Sequence, residues 1–428
     1  MANQNTINPD RKSEATSVYR WSVLFFISMA MFGNYYIYDS ISPLADLLKS
    51  QLRFSDGNIG LLNAIYSIPN IFMVLIGGYI IDKIGTKKAS LLFSSFCLIG
   101  TIITAFRGDL ITMATGRLIF GLGAESLIVA VTTVIAKWFK GKELSFAFGL
   151  NLTIARLGSF AALNSPTLAK SLYTTWQKPL FISVIAGIIS LLAVIIYFSM
   201  ESQASKRFVL GTAEDVDAIP VGSFFSTVKN LNKSSFWYIT LLCVTFYSAI
   251  FPFQTFAIKF FIEHHGISRE MAGFTSSFIT FAAMIGTPLF GFLIDRVGRR
   301  ASLMMFGSIL LIPVYLMLIY TNLHPLFPMV MMGVAFSLIP AAMWPSVALI
   351  VEQERLGTAY GLMTMIQNIG LASFNLIIGY VNDISGGYTH GMWIFSLLGF
   401  AGMFLSYLLK KSDARTNDRK LELSTVSN

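Results

Sequence analysis

Three ionisable side chains stand alone inside otherwise apolar stretches. Arg117 and Glu125 lie in ATGRLIFGLGAESLIVA, Ala114 to Ala130, and Arg156 lies near the middle of the run from Phe146 to Leu163. A charge at the centre of a bilayer costs about 2.5–3.5 kcal/mol on insertion scales, so such residues face a cavity or each other. A carboxylate and a guanidinium in one cavity match a solute that carries both an ammonium and a carboxylate, two groups that cannot be stripped of water without partners. At 1.5 Å per residue, Glu125 sits about 24 Å in from the start of its run near Asp109, and Arg156 about 20 Å in from the opposite side. The two therefore share a level, and they are the leading substrate-binding candidates. The bland reading is a Glu125–Arg156 or Glu125–Arg117 ion pair that only packs helices; the two readings coexist if the pair opens for substrate.

Arg117 lies only about 12 Å from the outer end of its run, where it would gate, couple protons or serve a structural pairing. Glu125 and Asp39, in NYYIYDS, are the candidate proton sites, although Asp39 reads more simply as an outer-rim residue in water. Tyr35, Tyr38, Tyr66, Tyr247, Gln254, Trp344, Gln367 and Asn368 are polar or aromatic groups inside apolar runs and form a second tier of candidate contacts.

The elements that must hold these side chains are legible from composition. The 428 residues are 54% hydrophobic and only 12% charged, a surplus of apolar surface that must face lipid. Twelve apolar segments run at 20–44, 57–82, 87–106, 109–137, 143–168, 178–200, 236–262, 271–295, 301–320, 325–350, 357–382 and 389–410. The expected fold is an all-α integral membrane protein. A polar tail spans 1–19, a six-helix bundle 20–200, a linker with a candidate amphipathic helix 201–235, a second six-helix bundle 236–410, and a cytoplasmic tail 411–428.

The net charge of +9 follows from topology rather than from a nucleic-acid partner. With the N-terminus inside, 22 of the 31 Lys and Arg residues fall at inner ends and seven at outer ends (Lys49, Arg53, Arg107, Lys170, Lys178, Lys259 and Arg269), which places both termini in the cytoplasm. Cys97 and Cys243 lie inside apolar runs and read as packing residues. The four histidines suit no metal site, there is no phosphate-binding GxxxxGK[ST], and no Ser/His, paired-Asp or metal constellation appears. Neither a cofactor nor an enzymatic activity is expected, and a monomer is.

A repeat divides the chain. GYIIDKIGTKK, from Gly78, and GFLIDRVGRR, from Gly291, share Gly, then Asp four residues on, a cation, and Gly three residues after the Asp. Equivalent places in two halves signal parallel repeats related by an axis along the membrane normal. Asp82 and Asp295 would sit at helix carboxy ends, where the dipole disfavours an anion, so each needs a positive partner. The free N-terminus of a helix from the other half would serve: near Gly357 and Thr358 for Asp82, near Glu143 and Leu144 for Asp295. With Lys83, Gly85, Arg296, Gly298 and Arg299, these residues form a candidate conformational latch.

The paired loops, the twelve spans and GRLIFGLG, with Arg117, Gly121 and Gly123, resemble the major facilitator superfamily of secondary transporters. No helix-five proline-glycine motif is evident in GLNLTIARLGS, which departs from drug–proton antiporters. GRLIFGLGAESL, WFKGKELSFAFGL, ARLGS, the MWP at 343–345 and LGTAYGLMTMIQNIGLA are similar to the animal lysosomal dipeptide uniporter group, whose matching glutamate and arginine line the dipeptide site. The resemblance implies alternating access, a small zwitterionic substrate and uniport. A proton-coupled carrier of organic anions, a small-molecule exporter and a non-transporting membrane receptor are the alternatives. The N-terminal residues carry no acidic dileucine signal, so a bacterial inner membrane is the expected location.

Overall fold

The computed structural model describes residues 15–139, 143–207, 234–351, 356–415 and 421–422. Among these, twelve long helices follow in order: α1 Ser17–Asp39, α2 Asp56–Ile84, α3 Thr86–Phe106, α4 Leu110–Phe139, α5 Leu144–Leu163, α6 Gln177–Arg207, α7 Ser234–His265, α8 Arg269–Val297, α9 Arg300–Tyr320, α10 Leu326–Ile350, α11 Leu356–Ser385 and α12 Thr389–Ala414. Ten of them are long and apolar enough to cross a membrane, so the chain is a multi-pass membrane protein. Both termini of the helical array, Ser17 and Ala414, lie on one face, the terminal face; the opposite one is the far face.

The pairing of helices carries the architecture. In the first six, α1 packs on α5 and α6, α2 on α4, and α3 on α4 and α6. In the last six, α7 packs on α11 and α12, α8 on α10, and α9 on α10 and α12. Each contact in the first set recurs six helices later in the second. The contacts between sets obey the same rule, because α2 meets α11 and α5 meets α8. The repeated loops agree in detail. Gly85 and Gly298 both take positive φ (80° and 67°), a conformation that glycine adopts without penalty, and each donates its N–H 2.8 Å to the carbonyl four residues back, Ile81 and Ile294.

The two halves touch on the far face. α2 and α11 approach so closely at Gly60 that a Cβ there would overlap the carbonyl of Asn375. Gly60→Leu should therefore hold the far face apart while sparing the packing inside each half. The expected readout is a gain in labelling, from the far side, of a cysteine introduced at Ser159, which faces the space between the halves; unchanged labelling would show that the helices do not need this contact to close.

Several boundaries differ from expectation. The apolar segment 20–44 predicts one helix, yet α1 stops at Asp39, and two short helices, Ser42–Leu44 and Ala45–Leu52, fold across its end. Pro43 at the start of the first of these favours a new helix over continuation. The fifth segment breaks at Asn164, with Pro166 in the short helix beyond. Helix α6 runs on to Arg207 and Ser234 already opens α7, so that of the expected linker 201–235 the stretch 208–233, with most of the candidate amphipathic helix, lies outside the described residues. So do the side chains of Asp82, Asp295, Leu144 and Thr358, and with them the latch contacts. Glu143 is described, exposed, and 3.7 Å from Arg20 of its own half.

The latch principle does appear on the opposite face with the helices exchanged. Asp383, near the carboxy end of α11, caps the N-terminus of α2: its Oδ1 accepts the Asp56 N–H at 2.7 Å and its Oδ2 the Gly57 N–H at 2.6 Å. Unsatisfied amides at a helix N-terminus are a natural seat for a carboxylate. Around this cap, Lys259 pairs with Asp56 and lies 3.9 Å from Glu263, Lys49 reaches Glu263 at 3.5 Å, and Tyr388 donates to Glu263. Arg269 forks onto Asp46, with one arm at 2.6 Å, and donates to the Pro43 carbonyl; Lys170 pairs with Glu270 at 2.6 Å. The charge count puts Lys259 in an outer loop. Instead it is fully buried on α7, because its ammonium is held between carboxylates of both halves.

Candidate functional site

Between the halves, on the terminal side of this closure, lies a cavity of about 280 Å³. Seven helices line it. The side chains come at helical spacing, so one stripe of each helix faces the space: Asn34, Tyr35, Tyr38 and Asp39 on α1; Glu125 and Ile128 on α4; Arg156 and Ser159 on α5; Tyr247 and Phe251 on α7; Thr364, Gln367, Asn368 and Leu371 on α11. Tyr66 on α2 and Trp344 on α10 complete the wall. The first half thus supplies all three charged groups of the lining, and the second half supplies amides and aromatics.

Glu125 sits beside Tyr66, whose hydroxyl points to Oε1 at 3.5 Å. The backbone next to it is pinned by Asn34, which donates to the Ala124 carbonyl at 3.2 Å. Arg156 lies between two rings, its guanidinium carbon 5.6 Å from the centre of Tyr35 and 5.2 Å from that of Phe336 on α10. This sandwich holds the fork by cation–π attraction and leaves its N–H edges free for a ligand. Among the described residues no ion pair within 4 Å joins Glu125 to Arg156 or Arg117, so the helix-packing pair is not formed here.

On the second half, the Trp344 indole N–H donates to the Tyr247 hydroxyl at 3.0 Å, and the Tyr360 hydroxyl donates to the Trp344 carbonyl at 2.9 Å. Tyr247 stacks on Phe251, which in turn meets Tyr38 across the cavity at 6.1 Å. Gln367 accepts from the Cys243 thiol at 3.3 Å, and Asn368 bonds back to the Thr364 carbonyl at 3.0 Å.

Of the ten residues proposed as contacts, nine line the cavity: Glu125, Arg156, Tyr35, Tyr38, Tyr66, Tyr247, Trp344, Gln367 and Asn368. Gln254 does not. It is buried in the far-face closure, where its carbonyl accepts from the Ser42 hydroxyl. Asp39 moves the other way. The sequence puts it at the rim, but as the last residue of α1, which ends short of its apolar run, it lines the cavity from the far side. Arg117 stays out of the lining. Its guanidinium, 1% exposed, donates to the carbonyls of Leu62, Ile37 and Tyr38 at 3.2, 3.3 and 3.4 Å and to Asn63 at 3.0 Å, tying the far end of α1 to α2.

Six lining residues do not stand out in the sequence: Asn34, Ile128, Ser159, Phe251, Thr364 and Leu371. All six lie three or four positions from one that does, at Tyr38 minus four, Glu125 plus three, Arg156 plus three, Tyr247 plus four, Gln367 minus three and Gln367 plus four. Extending each candidate along its own helix face would have found most of them.

The comparisons with known proteins agree with this architecture. The model of the Major Facilitator Superfamily matches residues 24–261 and 253–427. A lysosomal dipeptide transporter, MFSD1 of Danio rerio, is 33% identical over 382 residues, covering 86% of this chain and 82% of the relative; its Homo sapiens counterpart is 32% identical, covering 86% and 81%. A probable sulfoacetate transporter, SauU of Cupriavidus necator, is 22% identical, covering 91% and 94%. Among solved structures, a mutant of the nucleoside transporter NupG superposes with a TM-score of 0.74 at 14% identity over 91% of this chain and 99% of that one, a likeness of fold alone. With repeated halves, a cavity between them and a family model spanning nearly the whole sequence, the chain belongs to the Major Facilitator Superfamily and is a membrane transporter, not an enzyme.

Proposed function

We propose that the protein moves dipeptides, or zwitterions of similar size, by alternating access, with Glu125 holding the ammonium and Arg156 the carboxylate. The observation that carries this reading is the cavity itself. One carboxylate and one guanidinium, from neighbouring helices and not joined to each other, face a single space with neutral amides and rings opposite. The substrate named for the relatives at 32–33% identity supports the choice of dipeptides. Two carboxylates in the lining, Glu125 and Asp39, argue against an anionic solute.

The moving bodies are the bundles 20–200 and 236–410, joined by 201–235. With the terminal face in the cytoplasm, as the Lys and Arg count favours, the arrangement described here is the inward-facing state, shut outside by the far-face bonds. In the outward-facing state the repeated loops, with Asp82, Lys83, Gly85, Asp295, Arg296, Gly298 and Arg299, close the cytoplasmic side. No co-transported ion is required by this scheme, so uniport is the mode we assign.

The test is counterflow in proteoliposomes preloaded with alanyl-alanine. Transient accumulation of the labelled dipeptide is expected, with no competition from sulfoacetate or a hexuronate; binding without exchange would make the protein a receptor. Arg156→Lys should raise KM by about 10- to 100-fold, since an ammonium cannot replace a two-armed fork stacked between rings. An unchanged KM would remove Arg156 from the site.

A further inference from the structure

Beyond α12 the chain is described again at Leu421 and Glu422, and these two residues are built into the start of α9 on the terminal face. The Arg300 N–H donates to the Leu421 carbonyl at 2.7 Å, and the Arg299 N–H to the Glu422 carbonyl at 3.3 Å. The Glu422 carboxylate accepts the Ser302 N–H at 2.9 Å and the Ser302 hydroxyl at 2.8 Å, with Lys410 of α12 3.9 Å away. Leu421 is 1% exposed within the core of the second half, and its own N–H donates to Asp413 at 3.2 Å. The first amides of a helix lack intrahelical acceptors and favour negative charge, and here the tail supplies both.

At this point the two halves depart from their repeat. Helix α3 begins at Thr86, directly after Gly85, and its start is held by α6: Tyr197 donates to Thr86 at 3.3 Å, and Lys87 to Ser202 at 3.1 Å. Helix α9 begins one residue later, at Arg300, and Arg299, the counterpart of Thr86, is turned to a φ of 51°. A side chain crowds the backbone there, so a residue other than glycine keeps that shape only where its surroundings enforce it. The tail does so by accepting the N–H groups of Arg299 and Arg300 together.

We infer that Leu421 and Glu422 form an autoinhibitory strap on the loop between α8 and α9. Parallel repeats present their loops to the opposite halves in like form when the terminal face shuts. Arg299 must then return to the helical shape of Thr86, and the strap must leave. Docking of the tail therefore favours the terminal-open arrangement in which it is seen, and slows the interchange.

This inference rests on the alternating-access reading above, and the experiment separates it from the choice of substrate. Counterflow of labelled alanyl-alanine is measured for the parent, for a chain ending at Arg415, and for full-length Glu422→Lys, which sets a cation against the Ser302 N–H and Lys410. Spin labels at the exposed positions Lys206 on α6 and Trp237 on α7 report the distance between the halves on the terminal face without substrate. Both changes should raise the initial exchange rate at least threefold and move the distance distribution to shorter values. A rate and distribution equal to the parent's overturn the inference. Slower exchange overturns it too, as the mark of a tail that only supports the fold. Where the shortened chain does not fold, the Glu422→Lys result decides. A parent without counterflow removes the dipeptide reading, while the distances still decide the strap.

Discussion

Glu125→Gln is expected to abolish dipeptide exchange, lowering kcat/KM by at least 100-fold, about 2.7 kcal/mol. The carboxylate stands on α4 in the cavity wall with the Tyr66 hydroxyl 3.5 Å away, and no cation is paired with it within 4 Å among the described residues. An ammonium drawn out of water needs a counter-charge, and truncating one partner of a buried charge pair typically costs about 2–5 kcal/mol. The amide keeps shape and hydrogen-bonding capacity but loses the charge, so the loss isolates electrostatics from packing. Glu125→Asp should retain more activity than Gln, because the charge remains while the reach shortens. Uptake of radiolabelled dipeptide together with melting temperature decides the case. A folded Gln variant with near-normal flux would remove the clamp from the mechanism.

Lys259→Met should open the far face. The lysine is the hub between Asp56 on α2, Glu263 one turn along α7, and, through Glu263, Lys49 and Tyr388. Both it and Asp56 are almost entirely buried, with side-chain exposures of 0% and 7%. Removing one member of a buried pair costs roughly 3–5 kcal/mol, because the other is left uncompensated. Here the residual charges also repel, since Asp56, Asp383 and Glu263 would be three carboxylates around one helix start. That strain is relieved by separating the halves, so the equilibrium should shift by about 100-fold or more toward the far-open arrangement. Spin labels at the exposed positions Ser50 and Leu323, one in each half, would report it as a longer distance distribution on the far face. A distribution unchanged from the parent would show that the closure does not depend on this hub.

Much of the fold is legible in the sequence because membrane physics leaves few choices. Backbone polar groups must be satisfied within each segment, so long apolar runs become helices, and their number and order follow from hydropathy. The repeated loop at Gly78 and Gly291 points to two like halves, and the helix pairings and the matching turns at Gly85 and Gly298 have the form such a repeat requires. Isolated polar residues such as Glu125 and Arg156 stand out against their apolar surroundings for the same reason: a charge there must have a use.

What sequence could not deliver was direction and level at places where the chain bends. Asp39 lines the cavity and Gln254 does not: α1 ends at Asp39 ahead of Pro43, and Ser42 just beyond it donates to the Gln254 backbone carbonyl in the far-face closure, an arrangement that leaves no mark in hydropathy. Lys259 looks like a loop cation because its own run is interrupted there; its partner, Asp56, is 203 positions away. Arg117 sits in an apolar run just as Glu125 does, yet three backbone carbonyls consume it. The sequence by itself determined the helices, their repeat and the residue types that could recognise a zwitterion. Only the tertiary structure decided which of them share a cavity and which face is shut, because those depend on contacts between segments far apart in the chain, where side-chain direction rather than composition sets the partners.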